Sequence, residues 1–250
     1  MSTPKTSPEP ADFTHIRDWI FDLDNTLYPH HINLFAQIDR NMTAYVADLL
    51  QMEPDDARVL QKRYYHEHGT TLAGLMTHHG VDPNDFLEKA HAIDYSALLP
   101  DTALGEAIKA LLGRKFIFTN GTVEHAEAAA RALGILDHFD DIFDIVAAAY
   151  LPKPASQTYD TFTRLKQIDT GQAAMFEDLP RNLVVPKALG MKTVLLVPRN
   201  LEAVVLESWE RMDSDEGHAH VDYATDDLAG FLASLLEGGE FQVQSEPDRP

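Results

Sequence analysis

The stretch Trp19-Ile20-Phe21-Asp22-Leu23-Asp24-Asn25-Thr26 decides how this chain is read. Trp19, Ile20 and Phe21 form an apolar strand that runs directly into two carboxylates spaced two positions apart. Such a strand presents both acids at its C-terminal edge, where open α/β sheets bind their ligands. A carboxylate pair there suggests a nucleophile, Asp22, and a proton-transfer partner, Asp24.

Working outward, the same kind of unit repeats. Residues 116–119 form a second apolar segment ending in Thr119, Asn120 and Gly121, and a helical pattern over 123–133 follows, stopped by Gly134. A third unit runs from a strand over 142–149, past Lys153 bracketed by prolines, to a helix over 156–167. A fourth pairs a strand over 173–176, ending in Glu177 and Asp178, with a helix over 182–189 closed by Gly190; a fifth strand covers 193–197. Strands alternating with helices at this spacing argue for an α/β, Rossmann-like parallel sheet with helices on both faces.

Between the first two strands the pattern changes. Residues 28–100 contain no convincing strand, and Ile32, Phe35, Ile38, Met42, Tyr45, Val46 and Leu49 follow the three-and-four spacing of an amphipathic helix. Further helices are expected over 55–68, 71–79 and 84–91, punctuated by Gly69, Gly80 and Pro83. The expected organisation is a flexible tail over 1–14, an α/β catalytic core over 15–27 and 101–237, an all-helical cap over 28–100, and a second tail over 238–250. The apolar stripe is read as cap core.

Composition narrows the function classes. With no cysteine, disulfides and thiolate metal sites are excluded, and a cytoplasmic setting is expected. Forty acidic against twenty basic residues give a formal net charge of −20, which opposes nucleic-acid polymers and anionic lipid surfaces. No apolar run approaches a membrane span, so a soluble protein is expected, and a small anionic substrate stays open to it if a cation and a local basic group receive it.

Four motifs stand in order at or just after strand ends: D-L-D-N-T at 22–26, T-N-G at 119–121, Lys153 in P-K-P, and E-D-L-P-R-N at 177–182. Together they resemble the motifs of the haloacid dehalogenase superfamily of phosphohydrolases, over about residues 15–235. The run D-L-D-N-T-L-Y, the stretch Y-Y-H-E-H-G-T-T-L-A-G at 64–74 and F-T-N look like the pyrimidine 5'-nucleotidase branch. The resemblance implies hydrolysis of a phosphomonoester, with UMP or CMP as substrate. It also implies a metal held by the side chains of Asp22 and Asp178 and the backbone carbonyl of Asp24.

The residue types suit that chemistry. Asp22 can attack phosphorus and form an aspartyl-phosphate, while Asp24 protonates the departing alkoxide and later deprotonates water. Asp22, Asp24, Glu177 and Asp178 converging on a phosphate repel by about 4 kcal/mol per close pair at an effective dielectric near 20. A cation is therefore required, and oxygen-only ligands beside a phosphate select Mg²⁺. Thr119 and Lys153 receive charge on the phosphoryl oxygens. Asn25, Thr26, Tyr28 and Asn120 join Thr119 and Lys153 as the substrate-facing set, with Gly69 and Gly74 further candidates on the cap. Glu177, where many relatives have aspartate, is read as supporting rather than ligating, and Asn182 as orienting Lys153.

Taken singly, each residue also has a plain structural reading: Asp24 and Asp178 as helix caps, Thr119 as a turn residue, Lys153 as a surface lysine. The histidine pairs 30/31, 66/68, 78/79 and 218/220 are expected as exposed imidazoles, with the first pair near the hinge to the cap. A sugar-phosphate phosphatase or a phosphomutase shares the motifs. A dehalogenase has no need of an acid at Asp24, and a non-catalytic binding module would be favoured by loss of Asp22 or Asp24.

Overall fold

Alternation along each strand explains why the sheet is covered on both sides. The computed structural model describes residues 4–199 and 219–237. Strand β1 (Asp18–Phe21) sends Trp19 and Phe21 to one face and Ile20 to the other, all of them buried. β2 (Arg114–Phe118) and β4 (Ala173–Glu177) do the same: Ile117, Ala174 and Phe176 join the first face, and Phe116, Phe118, Ala173 and Met175 the second. With β3 (Asp141–Phe143), β5 (Lys192–Leu196) and β6 (Tyr223–Thr225) they form one parallel sheet in the order β3-β2-β1-β4-β5-β6. The chain builds outward from β1 to β3 and then crosses back to β4. The switch in direction lies between β1 and β4, where such sheets open a crevice.

The first four helices after β1 are α1 (Leu34–Leu50), α2 (Pro54–His68), α3 (Thr71–His79) and α4 (Pro83–Ala90). Proline at the first position and Asp55 and Asp56 in the first turn start α2, and Gly69 at φ +84° stops it. The Thr70 side chain caps α3 by accepting from the Ala73 amide at 3.1 Å. These helices enclose their own core, centred on Ile38, Val46, Leu75 and Phe86. The expected stripe divides: Ile38 and Val46 are buried, whereas Leu49 is exposed.

Among the described residues the remaining helices clothe the sheet: α5 (Thr102–Ala110), α6 (Val123–Ala132), α7 (Ser156–Lys166), α8 (Val184–Ala188) and α9 (Leu228–Glu237). Four expectations change. The strand expected over 142–149 ends at Phe143; Ile145 turns away to pack on the helical core around Phe86, and Ala149 and Tyr150 adopt positive φ. The helix expected from 182 opens as a 3₁₀ turn, Pro180–Leu183, before α8. The sixth strand was not expected, because three residues are too few to carry an alternating pattern. The tail expected over 1–14 is ordered from Lys5: its backbone pairs with Asp222 and Ala224 beside β6, and Phe13 is fully buried against Trp19 and Tyr223. The tail expected over 238–250 and most of the stretch 198–220 lie outside the described residues.

Candidate active site

Strand parity sets the geometry of the acids. Asp22 continues the face of Ile20, and Glu177 continues that of Met175, so both carboxylates emerge on one side of the sheet. Lys153, on the loop before α7, approaches from that side. Its Nζ donates to Asp22 Oδ1 at 2.7 Å, to Glu177 Oε1 at 2.8 Å and to the Phe118 carbonyl at 2.8 Å. All three ammonium donors are thereby used, and the side chain is 1% exposed. Burial alone would lower the lysine's pKa, but the charges of Asp22 and Glu177 reverse the effect and raise it.

The turn after β1 aims the second acid. Leu27 donates its backbone N–H to the Leu23 carbonyl at 3.0 Å, and Asn25 takes φ +62°, a left-handed conformation that asparagine tolerates. Asp24 thereby faces the same cavity as Asp22. Its Oδ1 meets His125 Nε2 at 2.9 Å and accepts from the Tyr28 hydroxyl. Burial pushes the Asp24 carboxyl up, but the charge of His125 and the bonds from His125 and Tyr28 bring it below the usual carboxylate range.

Asp22, Glu177 and Asp178 each offer an oxygen within 4.8 Å of the other two. Burial, opposed by Lys153 and aided by Glu177 and Asp24, pushes Asp22 up to about 7. Burial with the charges of Glu177 and Asp22 raises Asp178 as well. Acids crowded out of water beyond the reach of one lysine fit a bound cation. Glu177 is the least available of the three: Oε1 already accepts from Lys153 and from Asn182 Nδ2 at 2.6 Å, and Oε2 from the Leu179 amide at 2.7 Å. Asp22 and Asp178 are therefore the members of the cluster with more oxygen left for a cation.

A cavity of about 570 Å³ joins these groups to the helical segment. Its floor holds Asp22, Asp24, Asn25, Thr119, Asn120, Lys153 and Asp178. Opposite stand Phe35, Ile38, Met42, Leu72, Phe86 and Leu87. Three members of the expected stripe therefore line the cavity as well as packing the core of the helical segment. Beyond them Asp39 accepts from Gln61 at 2.7 Å and from Arg58 and Lys62 at 2.8 Å each. Burial would raise the Asp39 carboxyl, yet bonds from Lys62, Gln61 and Arg58 hold it below its ordinary value.

Several sequence expectations move. Thr26 and Tyr28 are buried behind the cavity rather than lining it; Tyr28 acts on Asp24 instead. Asn120 lines the cavity, but its amide clamps the Lys153 backbone, accepting from the N–H at 2.8 Å and donating to the carbonyl at 3.2 Å. Asn182 reaches Lys153 only through Glu177, on which both donate. Gly74 faces away: a Cβ there would fall 2.4 Å from Tyr64 Cβ, so it permits α2 and α3 to cross closely. Gly69 serves as the end of α2, beside Pro152. His30 is half-buried with Nε2 at 3.4 Å from Asp178, and burial lowers it to about 4. His68 and His78, from two different pairs, meet at 3.1 Å. His218 lies outside the described residues.

His125, His91, Tyr95, Asp39, Arg58 and Lys62 were not anticipated. A histidine in the first turn of the helix after T-N-G was the one available signal, since that turn faces the strand ends. The others are brought in by packing between elements far apart in sequence.

The comparisons agree on the fold. Residues 19–190 match the haloacid dehalogenase-like hydrolase family. The chain is 27% identical over 206 residues to Phosphate metabolism protein 8 of Saccharomyces cerevisiae, covering 75% of this chain and 62% of that protein. It therefore spans less than two thirds of that relative's length. Among solved structures it is similar to L-2-haloacid dehalogenase of Xanthobacter autotrophicus with chloropropionic acid covalently bound. The TM-score is 0.57 at 14% identity, over 90% of this chain and 99% of that one. A 2-haloacid dehalogenase from Pseudomonas syringae pv. tomato gives a TM-score of 0.50 at 17% identity, over 90% and 100%. These structural likenesses speak for the fold alone. Among the described residues no helix is long and apolar enough to cross a membrane. With its motifs gathered at the crevice beside β1 and well over half its length matched, this chain belongs to the haloacid dehalogenase-like hydrolase family.

Proposed function

We propose that the chain is a phosphomonoester hydrolase acting through an aspartyl-phosphate on Asp22, with pyrimidine 5'-mononucleotides as its substrates. The observation that carries this reading is the pair of acids at the cavity floor, bonded differently. Asp22 is held by a buried ammonium, as a nucleophile beside a charged phosphoryl group needs, and Asp24 by the His125 imidazole and the Tyr28 hydroxyl, a donor set suited to a proton carrier.

The residues act as follows. Asp22 attacks phosphorus while Lys153 and Thr119 receive charge on the phosphoryl oxygens. Asp24 gives a proton to the leaving oxygen; the arriving phosphate, a like charge, raises the acid's proton affinity enough for it to carry one. Asp22 and Asp178, with the Asp24 backbone carbonyl, are the residues that would hold Mg²⁺. Bound there, the ion would offset the negative charge that the acids and the phosphate bring together.

A cavity near 570 Å³ accommodates a mononucleotide-sized ligand. Phe35, Ile38, Met42 and Phe86 offer an apolar surface to a flat base, and the Asp39 cluster offers a polar edge beyond it. Helices α1 to α4 act in this reading as a cap that limits water and selects the leaving group. A relative named for phosphate metabolism supports phosphate chemistry over dehalogenation. So does Asp24, because displacement of halide needs no proton donor.

The test is phosphate release from a panel of phosphorylated metabolites with Mg²⁺ present. UMP and CMP are expected to lead. Faster turnover of sugar phosphates would overturn the nucleotide reading, and halide release from 2-haloacids without phosphatase activity would overturn the whole.

A further inference from the structure

We propose that His125 and Tyr28 are positioning residues for Asp24: together they hold its Oδ1, and so reserve Oδ2 as the oxygen that carries the proton to the leaving group. The inference rests on the phosphomonoesterase reading and adds to it which oxygen does the work and what holds it in place.

Two donors converge on one atom. His125 Nε2 lies 2.9 Å from Asp24 Oδ1, and the Tyr28 hydroxyl donates to the same oxygen. Among the described residues no donor is placed on Oδ2, while Asp24 itself faces the cavity. An ionised carboxylate only accepts, so the imidazole proton sits on Nε2, and in the neutral ring Nδ1 accepts from the Tyr95 hydroxyl at 2.8 Å. The ring is itself fixed. Its side chain is 0% exposed, it stacks on His91 with centroids 4.7 Å apart, and a Cβ on Gly121 would come within 3.0 Å of its Cδ2. The His91 ring is held in turn, its Nδ1–H donating to the Leu87 carbonyl at 3.0 Å. Hence the second acid, on a turn and not on the strand, is held from α6, from the segment after β1 and from the end of the helical segment at once.

This placement suits the proton's path. As an Asp22 oxygen bonds to phosphorus, the ester P–O bond breaks and its electron pair stays on the leaving oxygen, which takes the proton from Asp24 Oδ2. The water that then displaces Asp22 from phosphorus returns a proton to Asp24. A carboxylate free to rotate would present Oδ2 only part of the time; fixing one oxygen fixes the other.

The experiment compares wild type, His125→Leu, His125→Gln and Tyr28→Phe on two substrates, UMP and p-nitrophenyl phosphate. The nitrophenolate leaves without needing a proton, so loss of a positioned acid spares it. His125→Leu is expected to lower kcat on UMP by roughly 10²-fold, the low end for general acid catalysis, with KM little changed and a far smaller loss on the aryl ester. His125→Gln, whose amide can donate to the same oxygen, recovers much of the UMP rate. Tyr28→Phe shows the same substrate split in milder form, and keeps the test alive if His125→Leu does not fold. Equal losses on both substrates, or no loss on UMP, would overturn the inference while leaving the phosphatase reading intact. Absence of phosphate release from wild type on either ester would overturn that reading, and the inference with it. Imidazole nitrogen NMR on the metal-free protein gives a second measurement: protonation of His125 at Nδ1 alone would contradict the assignment.

Discussion

Lys153 Nζ lies 2.7 Å from Asp22 Oδ1, and both side chains are buried at the end of the central strand. One ammonium also serves Glu177, and Asp178 stands alongside, so the site carries more buried negative than positive charge. Folding tolerates this imbalance because the carboxyls of Asp22 and Asp178 shift toward protonation, and the proposed function would use it by drawing in a cation.

Replacing the lysine exposes that balance. Lys153→Met leaves Asp22 and Glu177 buried without their shared partner. Breaking a buried pair in this way costs about 3–5 kcal/mol. Denaturant melts should show a fall of that order alongside lost activity; a change under about 1 kcal/mol would mean that the ion triangle is not what holds these acids.

The acid cluster makes a prediction about metal. Chelation should silence phosphate release and Mg²⁺ restore it. Mg²⁺ at about 100 times its dissociation constant should also stabilise the fold by roughly 2.7 kcal/mol, since the ion binds only where the acids converge. Metal-independent turnover with no shift in Tm would contradict the assignment of Asp22 and Asp178 as ligands.

The raised Asp22 carboxyl has a sign that can be measured. Burial lifts it from 3.8 to about 7, so between those values the folded state binds more protons than the unfolded one. Stability from this group therefore falls as pH rises through that window. Metal-free wild type, compared with Asp22→Asn at each pH, should lose stability from about pH 4 to about pH 7. His30 and His91, lowered to about 4, push the opposite way in both proteins and cancel in the difference. A flat difference would show that Asp22 is charged throughout.

Much of this was legible in the chain itself. The apolar segments before Asp22, Thr119 and Glu177 announced parallel strands, and the order of the four motifs placed them at one sheet edge. Legibility failed where tertiary packing decides. Tyr28, expected toward substrate, instead donates to Asp24; no spacing rule separates an aromatic that lines a cavity from one that braces an acid behind it. His125 and His91 meet although α6 and α4 are separated by β2, so no local pattern pairs them. Ile145 read as strand because an apolar residue after Phe143 continues the run; its partner proved to be the helical core, not the sheet.

Whether Asp22 is transiently esterified is tested most directly by acid-quenching the enzyme during turnover of UMP and mapping its peptides by mass spectrometry. The account requires a phosphoryl group on the peptide bearing Asp22, labile to hydroxylamine and absent from Asp22→Asn, which retains the wild-type circular dichroism but releases no phosphate. Sustained phosphate release by Asp22→Asn, or a phosphoryl group trapped elsewhere, would contradict it.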